Sequence, residues 1–283
     1  MSTINIEHLV LSGGGLLGIS YIGLLTYFEE HKHILNLKTI TGCSAGAMFG
    51  SLLSIGYSAT ELNSIVKAMV FKDYIKINID SLLNFTNTKG FETGNHLNLF
   101  IRNCIKDKTG NENITFSQIY EKYNIKLQIG VTNLTENKFE LFNKDTHPEL
   151  SIHRAISASI AIPFIFEPII IDDNIYCDGG LVNNLPIDSV IDMYNTDIHH
   201  SNNTKEDKLI IIPNTIPSLN TKSELNNKSK KEDKTEKEDK IEKEDKTEKE
   251  DKTETEYFNN NNNTLSILGV YLINKSDIIN KNN

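Results

Sequence analysis

The sequence predicts an α/β fold with a mostly parallel central sheet that is covered by helices. Before residue 218, short β-rich runs alternate with segments of helical periodicity, which is typical of parallel strands joined by crossover helices. Glycine-rich turns at 13–18 and 42–46 follow the first two predicted strands. These observations predict a sheet with turns able to bind an anion at the carboxyl ends of its strands.

The predicted elements begin as strand, helix, strand, helix. A strand at 8–12 precedes a helix at 16–30, whose buried face would hold Leu17, Tyr21, Leu24, Leu25 and Phe28. A strand at 39–42 leads into a helix at 44–55. Ser58 would cap the next helix, with Glu61 completing a capping box before the apolar face of Leu62, Ile65, Val66 and Met69. Later strands are predicted at 126–132, 139–142, 169–171 and 209–212.

A charged repeat marks the main boundary in the chain. The hexamer Lys-Glu-Asp-Lys-Thr/Ile-Glu occurs four times between Lys231 and Glu254, and an asparagine run follows at 259–263. This composition offers almost nothing to bury, so the entropy of ordering it is not offset. We expect a folded domain at 1–217, a disordered insert at 218–263 and a short C-terminal segment at 264–283. An interaction tail or a charged single helix is the alternative for the insert.

Composition also limits the partners and the compartment. With 29 basic and 38 acidic residues, a net charge of -9 and no basic stripe, we expect no nucleic-acid partner. Three scattered cysteines predict neither a disulfide framework nor a zinc site and favour an intracellular, reducing compartment. We expect no signal peptide and no transmembrane segment, because the longest apolar stretches are shorter than the roughly 20 residues that span a bilayer. Any membrane contact would be peripheral.

The turn Gly42-Cys43-Ser44-Ala45-Gly46 contains a candidate nucleophile, Ser44. Glycines two residues before and after a serine, between a strand and a helix, allow the sharp turn that exposes a catalytic hydroxyl. The helix N-terminus adds partial positive charge, and the Ala45 N–H would bind an oxyanion. The alternative is a serine that only caps the helix.

A second turn, Gly13-Gly14-Gly15-Leu16-Leu17-Gly18, offers unpaired backbone N–H groups to an anion. It also fits the dinucleotide fingerprint GxGxxG, which requires an acidic residue about 20 positions further on. That acid is missing, because the first acid after Glu30 is Glu61. An oxyanion hole is therefore the favoured interpretation.

The segment Tyr176-Cys177-Asp178-Gly179-Gly180 supplies a candidate base. Its glycines would let backbone and substrate approach the Asp178 carboxylate. An aspartate with an ordinary pKa of about 3.9 is a weak base at neutral pH, so catalysis would require partial burial and a hydrogen bond from the serine hydroxyl. A plain turn is the alternative for Asp-Gly-Gly.

Together, the motifs GGGLLG, GCSAG and DGG in this order resemble the patatin-like phospholipase family. The segments KGFETGNHL, TFSQIYEKYNIKLQIGVTNL, AISASIAIPFIFEP and LVNNLP also resemble segments of that family. The resemblance covers about residues 8–192 and rests on the joint pattern, because each motif alone is much less specific.

The resemblance implies a three-layer α/β/α domain that acts as a phospholipase A-type acyl hydrolase, with a Ser-Asp dyad and neither cofactor nor metal. Ser44 would attack the acyl carbonyl and Asp178 would accept the hydroxyl proton. The oxyanion hole would be Gly13, Gly14 and Gly15, and the other motif glycines are Gly18, Gly42, Gly46, Gly179 and Gly180. The implied partner is a lipid substrate at a membrane surface. Two departures are small: alanine is also common at the position of Gly180, and an arginine often found in the glycine-rich segment is absent.

Two other functions are compatible with these residues. An α/β-hydrolase would complete a triad with a histidine after the acid, and His199 and His200 follow Asp178 in a polar stretch. A catalytically silent lipid-binding module is the second alternative. Residues 71–100 look irregular, and a cap over an acyl chain is the minority interpretation of this segment. Cys43 is interpreted as a packing residue, with a second reactive thiol as the alternative.

Overall fold

The computed structural model describes residues 5–31, 34–69, 89–188, 208–212 and 271–274. The strands are β1 Asn5–Leu11, β2 Ile34–Cys43, β3 Gly90–Glu92, β4 Lys126–Asn133, β5 Lys138–Phe142, β6 Phe164–Phe166, β7 Ile169–Ile171, β8 Asn174–Asp178, β9 Lys208–Ile212 and β10 Tyr271–Asn274. The helices are α1 Ser20–Glu30, α2 Ala45–Ser54, α3 Ala59–Ala68, α4 Asn95–Thr109, α5 Phe116–Tyr123 and α6 Ile152–Ser159. Short 3-10 turns lie at Gly15–Ile19 and Gly179–Leu181.

The main sheet has the strand order β10-β9-β1-β2-β4-β8-β7, with β5 also paired to β4. Strands β9, β1, β2 and β4 are parallel, and the predicted α/β class is confirmed. The flanking strands β10, β5, β8 and β7 are antiparallel to their neighbours, so the sheet is mixed and parallel only at its centre. A short turn imposes this between β7 and β8: Asp172 and Asp173, with φ of 47° and 63°, form a two-residue hairpin turn. A separate parallel pair joins β3 and β6.

Strand β4 positions the strand ends that carry the candidate site. β5 pairs along one edge of β4, so β2 and β8, which pair with successive parts of β4, share the opposite edge. β2 runs parallel to β4 and ends with Cys43 beside Gly130. β8 runs antiparallel and ends with Asp178 beside Val131. The two strands therefore meet end to end, and the chain that leaves β2 comes directly against Asp178.

The central strands are buried on both faces, as expected for parallel strands covered by helices. Almost completely buried apolar side chains on β1, β2 and β4 are Ile6, Leu9, Val10, Ile40, Leu127, Ile129 and Val131. The helices complete this core with Leu24, Phe28, Phe49, Leu52, Leu62 and Ile156.

A capping box begins α3, as the sequence predicts. The Ser58 hydroxyl accepts the N–H of Glu61, and the Glu61 carboxylate accepts the N–H of Ser58. The predicted apolar face of this helix also packs against the core, through Leu62, Ile65, Val66 and Met69.

The prediction of one continuous helix at 16–30 is wrong in its first turn. The chain forms a 3-10 turn at Gly15–Ile19, and α1 begins only at Ser20. A 3-10 turn has about 3.0 residues per turn instead of 3.6, so its side chains are not in phase with the buried face of α1. Leu17 is accordingly 47% exposed, whereas the other four predicted face residues are buried. Strand β2 also begins well before residue 39, at Ile34.

Some predictions fall wholly or partly on residues that the structure does not describe. The insert at 218–263, His199 and His200, and residues 71–88 of the predicted cap lie outside the described residues. The cap is not irregular throughout, because α4 begins at Asn95. The segment 264–283 contributes β10, which pairs with β9 in the main sheet. Within the described ranges, every helix is too short or too polar to cross a bilayer.

The close approach of α2 to β1 predicts that Gly46→Ala destabilises the fold. A Cβ at Gly46 would lie 2.2 Å from the carbonyl oxygen of Leu11, a backbone atom that cannot move aside alone. Overpacking of this kind costs about 1–3 kcal/mol in the free energy of unfolding, which denaturant titration measures. Gly23→Ala in α1 is the control: nothing lies within 4 Å of that Cβ position, and we expect a gain of about 0.5–1 kcal/mol. Equal stability of the two variants would contradict the close approach.

Candidate active site

Ser44 lies in the turn between β2 and α2 in a strained conformation. Its φ of 52° and ψ of -121° are rare for a residue with a side chain and cost on the order of 1–3 kcal/mol. The flanking glycines make the turn possible, because a Cβ at Gly42 would lie 2.4 Å from the carbonyl oxygen of Gly46. Larger residues at these two positions would not fit, as the sequence predicts.

The Ser44 hydroxyl does not cap α2. Ser44 occupies the N-cap position, but its side chain makes no capping hydrogen bond. Its Oγ donates instead to Asp178 Oδ2 at 2.6 Å, and both residues are largely buried, with 5% and 6% of their surface exposed. The alternative of a serine that only caps the helix is therefore wrong, and the structure brings the two predicted catalytic residues together.

Asp178 uses its two carboxylate oxygens differently. Oδ1 accepts the N–H of Gly180 at 2.7 Å and so caps the short 3-10 turn, while Oδ2 accepts the Ser44 hydroxyl. The backbone is fixed as well. Its N–H donates to the Ala161 carbonyl oxygen at 2.9 Å, and its carbonyl oxygen accepts from Thr132 Oγ1 at 3.0 Å. The Asp-Gly-Gly turn therefore also orients a carboxylate toward the serine.

Burial raises the pKa of Asp178 above its ordinary value. The hydrogen bonds that the carboxylate accepts from Ser44 and Gly180 act in the opposite direction and favour the ionised form. A carboxylate with a raised pKa is a stronger base than a solvated one. Any activity that requires ionised Asp178 is expected to fall as the pH decreases through this raised pKa.

The glycine-rich loop at 13–18 lies beside Ser44 and the start of α2. A Cβ at Gly13 would be 3.0 Å from Ser44 Cβ, and one at Gly18 would be 2.8 Å from Ala45 Cβ. Gly15 has a φ of 52°, in the left-handed region that favours glycine. The loop is thus placed where the sequence predicts an oxyanion hole.

The backbone amides of this loop are not equivalent. The Gly13 N–H donates to the carbonyl oxygen of Asn184 at 3.0 Å, so it is already occupied. Among the described residues, we find no acceptor for the N–H groups of Gly14, Gly15 and Ala45. The N–H groups of these three residues are therefore open to an anion, whereas that of Gly13, although predicted as a donor, is engaged elsewhere.

Ser159, at the end of α6, holds the Ser44 turn in place. Its Oγ accepts the Ser44 N–H at 2.8 Å and donates to the Gly130 carbonyl oxygen at 2.7 Å. The residue is completely buried and ties the turn to β4. The sequence does not identify this serine as part of the site, because nothing in the local pattern distinguishes it from its neighbours in AISASIAIPFIFEP.

Neither a reactive thiol nor a metal-binding cluster is found beside Ser44 in the described part of the chain. Cys43 is completely buried, with Sγ 4.0 Å from Asp178 Oδ1. Burial, together with the charge of Asp178, raises the pKa of the Cys43 thiol, so it stays protonated and unreactive. Groups of three or more His, Cys, Asp or Glu side chains able to hold a metal ion are absent from these residues.

The fold and the site define an α/β protein with a serine and an aspartate paired at the meeting ends of two strands. The family model described as patatin-like phospholipase matches residues 9–191, more than half of the chain. The chain belongs to the patatin-like phospholipase family, and its fold is patatin-like.

Relatives with similar sequences include viral and fungal proteins. The Probable lipid hydrolase 463L of Invertebrate iridescent virus 6 is 31% identical over 208 residues, covering 73% of this chain and 69% of that protein. Uncharacterized protein R571 of Acanthamoeba polyphaga mimivirus is 35% identical over 188 residues, covering 66% of this chain but only 62% of that protein. Lysophospholipase NTE1 of Kluyveromyces lactis is 28% identical over 179 residues, covering 63% of this chain and 11% of that protein. Among solved structures, VipD from Legionella pneumophila matches with a TM-score of 0.47 and 21% identity, covering 64% of this chain and 47% of VipD.

The Ser159 bridge predicts that Ser159→Ala lowers the stability of the fold. The substitution leaves the Ser44 N–H and the Gly130 carbonyl group buried without their partner, at a cost of about 1–3 kcal/mol in the free energy of unfolding. Ser54→Ala is a matched control. Ser54 is equally buried, but its hydroxyl only donates to the Ser51 carbonyl oxygen within α2. Equal losses in the two variants would contradict a specific role of the bridge.

Proposed function

We propose that this protein hydrolyses carboxylic ester bonds of lipids, as a phospholipase A-type acyl hydrolase with Ser44 and Asp178 as its catalytic dyad. The 2.6 Å hydrogen bond from Ser44 Oγ to Asp178 Oδ2 carries the proposal. Membership of the patatin-like phospholipase family supports a lipid ester as the substrate class. The names of two relatives, a probable lipid hydrolase and a lysophospholipase, agree with that class.

In the first half of the reaction, Ser44 Oγ attacks the acyl carbonyl carbon while Asp178 Oδ2 takes the hydroxyl proton. The carbonyl oxygen becomes the oxyanion of a tetrahedral intermediate. The N–H groups of Gly14, Gly15 and Ala45, with the positive end of the α2 dipole, stabilise this charge. Collapse of the intermediate breaks the ester C–O bond, and Asp178 gives its proton to the leaving alcohol oxygen. The acyl group is then esterified to Ser44.

In the second half, water hydrolyses the acyl ester of Ser44. Asp178 takes one proton from the water as its oxygen adds to the acyl carbonyl carbon, and the same N–H groups hold the second oxyanion. Collapse breaks the bond to Ser44 Oγ, which receives the proton back from Asp178. The fatty acid leaves, and the dyad returns to its starting state.

The direct contact between serine and aspartate favours the dyad over a Ser-Asp-His triad. In a triad, an imidazole lies between the serine hydroxyl and the carboxylate. A donor-acceptor distance of 2.6 Å leaves no space for one. His199 and His200 lie outside the described residues, so the choice is also tested by substitution.

Exposed apolar side chains beside the dyad support a lipid surface as the partner. Leu16 is 61% exposed in the glycine-rich loop, and Leu181 is 58% exposed in the loop that follows Asp178. Leu17, Ile19 and Val182 in the same two loops are also exposed. Residues 13–28 and 179–187 contain no charged residue. We define these five exposed side chains as the apolar rim, and its chemistry suits a neutral lipid surface above a recessed site.

Ser44→Ala and Asp178→Asn are expected to lower acyl release by at least about 10³-fold, because each removes one half of a unit that acts together. The assay measures release from phosphatidylcholine vesicles and from a soluble short-chain ester.

Asp178→Asn is also expected to raise Tm. Since the folded state otherwise keeps a buried carboxylate charged at neutral pH, removing that charge relieves a desolvation cost. A higher Tm with lost activity separates a catalytic role from unfolding.

The control for the dyad is the double variant His199→Ala/His200→Ala, which is expected to keep wild-type turnover. Loss of activity in this variant would favour the triad. Wild-type turnover by Ser44→Ala or Asp178→Asn would contradict the dyad. Lipid binding without turnover by the wild type would favour a silent module.

The apolar rim predicts a difference between packed and dissolved substrates. Leu16→Asp combined with Leu181→Asp is expected to lower vesicle hydrolysis at least about tenfold more than hydrolysis of the soluble ester, because two apolar contacts with the lipid are replaced by charges. Leu99→Asp on α4 is the control, since Leu99 is 54% exposed but lies in neither loop. Equal losses on both substrates would contradict a docking role of the rim.

A further inference from the structure

Asn184, in the loop that follows Asp178, binds both peptide groups of Gly13. Its backbone carbonyl oxygen accepts the Gly13 N–H at 3.0 Å, and its side-chain Nδ2 donates to the Gly13 carbonyl oxygen at 3.1 Å. The N–H and C=O of one residue belong to the two peptide units that flank its Cα. Gly13 therefore cannot rotate about φ or ψ without breaking one of the two bonds.

The Asn184 carboxamide fills the space that two glycines leave. Its Oδ1 is 2.2 Å from the position of a Cβ on Gly13 and 2.8 Å from that of a Cβ on Gly180. Gly13 begins the glycine-rich loop, and Gly180 donates its N–H to Asp178 Oδ1. Asn184 thus belongs to the loop that follows Asp178, contacts Gly180 within that loop, and reaches across to Gly13 in the other.

We infer that Asn184 is a positioning residue that locks the glycine-rich loop onto the Asp178 loop and so presents the amides of Gly14 and Gly15 to the oxyanion. The inference rests on the proposed function, because it concerns the oxyanion hole of the same reaction. It also explains why the first glycine of the motif has no amide to offer. Its N–H is one of the two Gly13 groups that bind Asn184.

The role requires an asparagine in particular. Aspartate has the same shape but no N–H to donate to Gly13, and it would add a charge near the base. Asn184 Oδ1 and Asp178 Oδ1 lie 2.8 Å and 3.0 Å from one point, the Cβ position of Gly180. Because both side chains lie beside this point, a carboxylate in place of the Asn184 carboxamide would raise the pKa of Asp178 further. Asn184 is exposed, so its substitution opens no cavity in the core.

The test compares Asn184→Ala, Asn184→Asp and the matched control Asn183→Asp in the full chain. Asn183 Oδ1 accepts the N–H of Leu185 at 3.2 Å, a bond that a carboxylate keeps, so the control adds the same charge without touching Gly13. Two measurements are made on each variant. The first is the pH dependence of kcat and KM on a soluble short-chain ester. The second is amide hydrogen exchange of a peptide that contains residues 13–18.

Asn184→Ala is expected to lower kcat about a hundredfold with little change in KM, because a small displacement of the oxyanion donors costs that much. Its glycine-rich loop is expected to exchange faster than that of the wild type. Asn184→Asp is expected to show both effects and to move the acidic limb of the pH profile to higher pH. Asn183→Asp is expected to show none of the three.

Wild-type exchange rates at 13–18 in Asn184→Ala would contradict the positioning role of Asn184, whatever the kinetic result. Equal kinetic losses in Asn183→Asp and Asn184→Asp would also overturn it. If the wild type hydrolyses no ester but the loop exchanges faster in Asn184→Ala, the proposed function is overturned and the contact between Asn184 and the glycine-rich loop is supported. The two outcomes can be separated because amide exchange does not depend on turnover.

Discussion

One edge of β4 decides where the candidate catalytic residues lie, because two strands of opposite direction end on it. β2 runs parallel to β4 and ends beside Gly130, and β8 runs antiparallel to β4 and ends beside Val131. The closeness of this meeting is visible at Gly179, where a Cβ would lie 2.5 Å from the Gly130 carbonyl oxygen. Ser44 and Asp178 are 134 positions apart in the chain, yet this meeting of strand ends brings them within hydrogen-bond distance.

The same arrangement supplies the chemistry of the proposed reaction. Burial raises the pKa of the Asp178 carboxylate and makes it a better base than a solvated aspartate. In the proposed reaction, the backbone amides of Gly14, Gly15 and Ala45, which have no acceptor among the described residues, would be the donors for the oxyanion, although the motif lacks the arginine often found in the family. The strained backbone of Ser44 is maintained from outside the turn, through the hydrogen bonds of Ser159.

The residues of the candidate site could be predicted from the sequence where a local pattern demands them. Ser44 needs small neighbours on both sides, Asp178 needs flexible ones, and Ser58 and Glu61 identify a helix start by spacing alone. Contacts between distant segments leave no such pattern. The antiparallel direction of β8, the Ser159 bridge and the bond from Gly13 to Asn184 all depend on which strands meet at β4. The predicted position of Leu17 on the buried face is wrong because a 3-10 turn and an α-helix can share the same apolar spacing over a few residues.

The most direct test of the dyad is the rate at which a fluorophosphonate labels the protein, followed by mass spectrometry of the labelled peptide over a range of pH. We expect one label, on Ser44, with a labelling rate that rises as the Asp178 carboxyl group of raised pKa ionises and that falls sharply in Asp178→Asn. Labelling of another residue, or an unchanged rate in Asp178→Asn, would contradict the dyad.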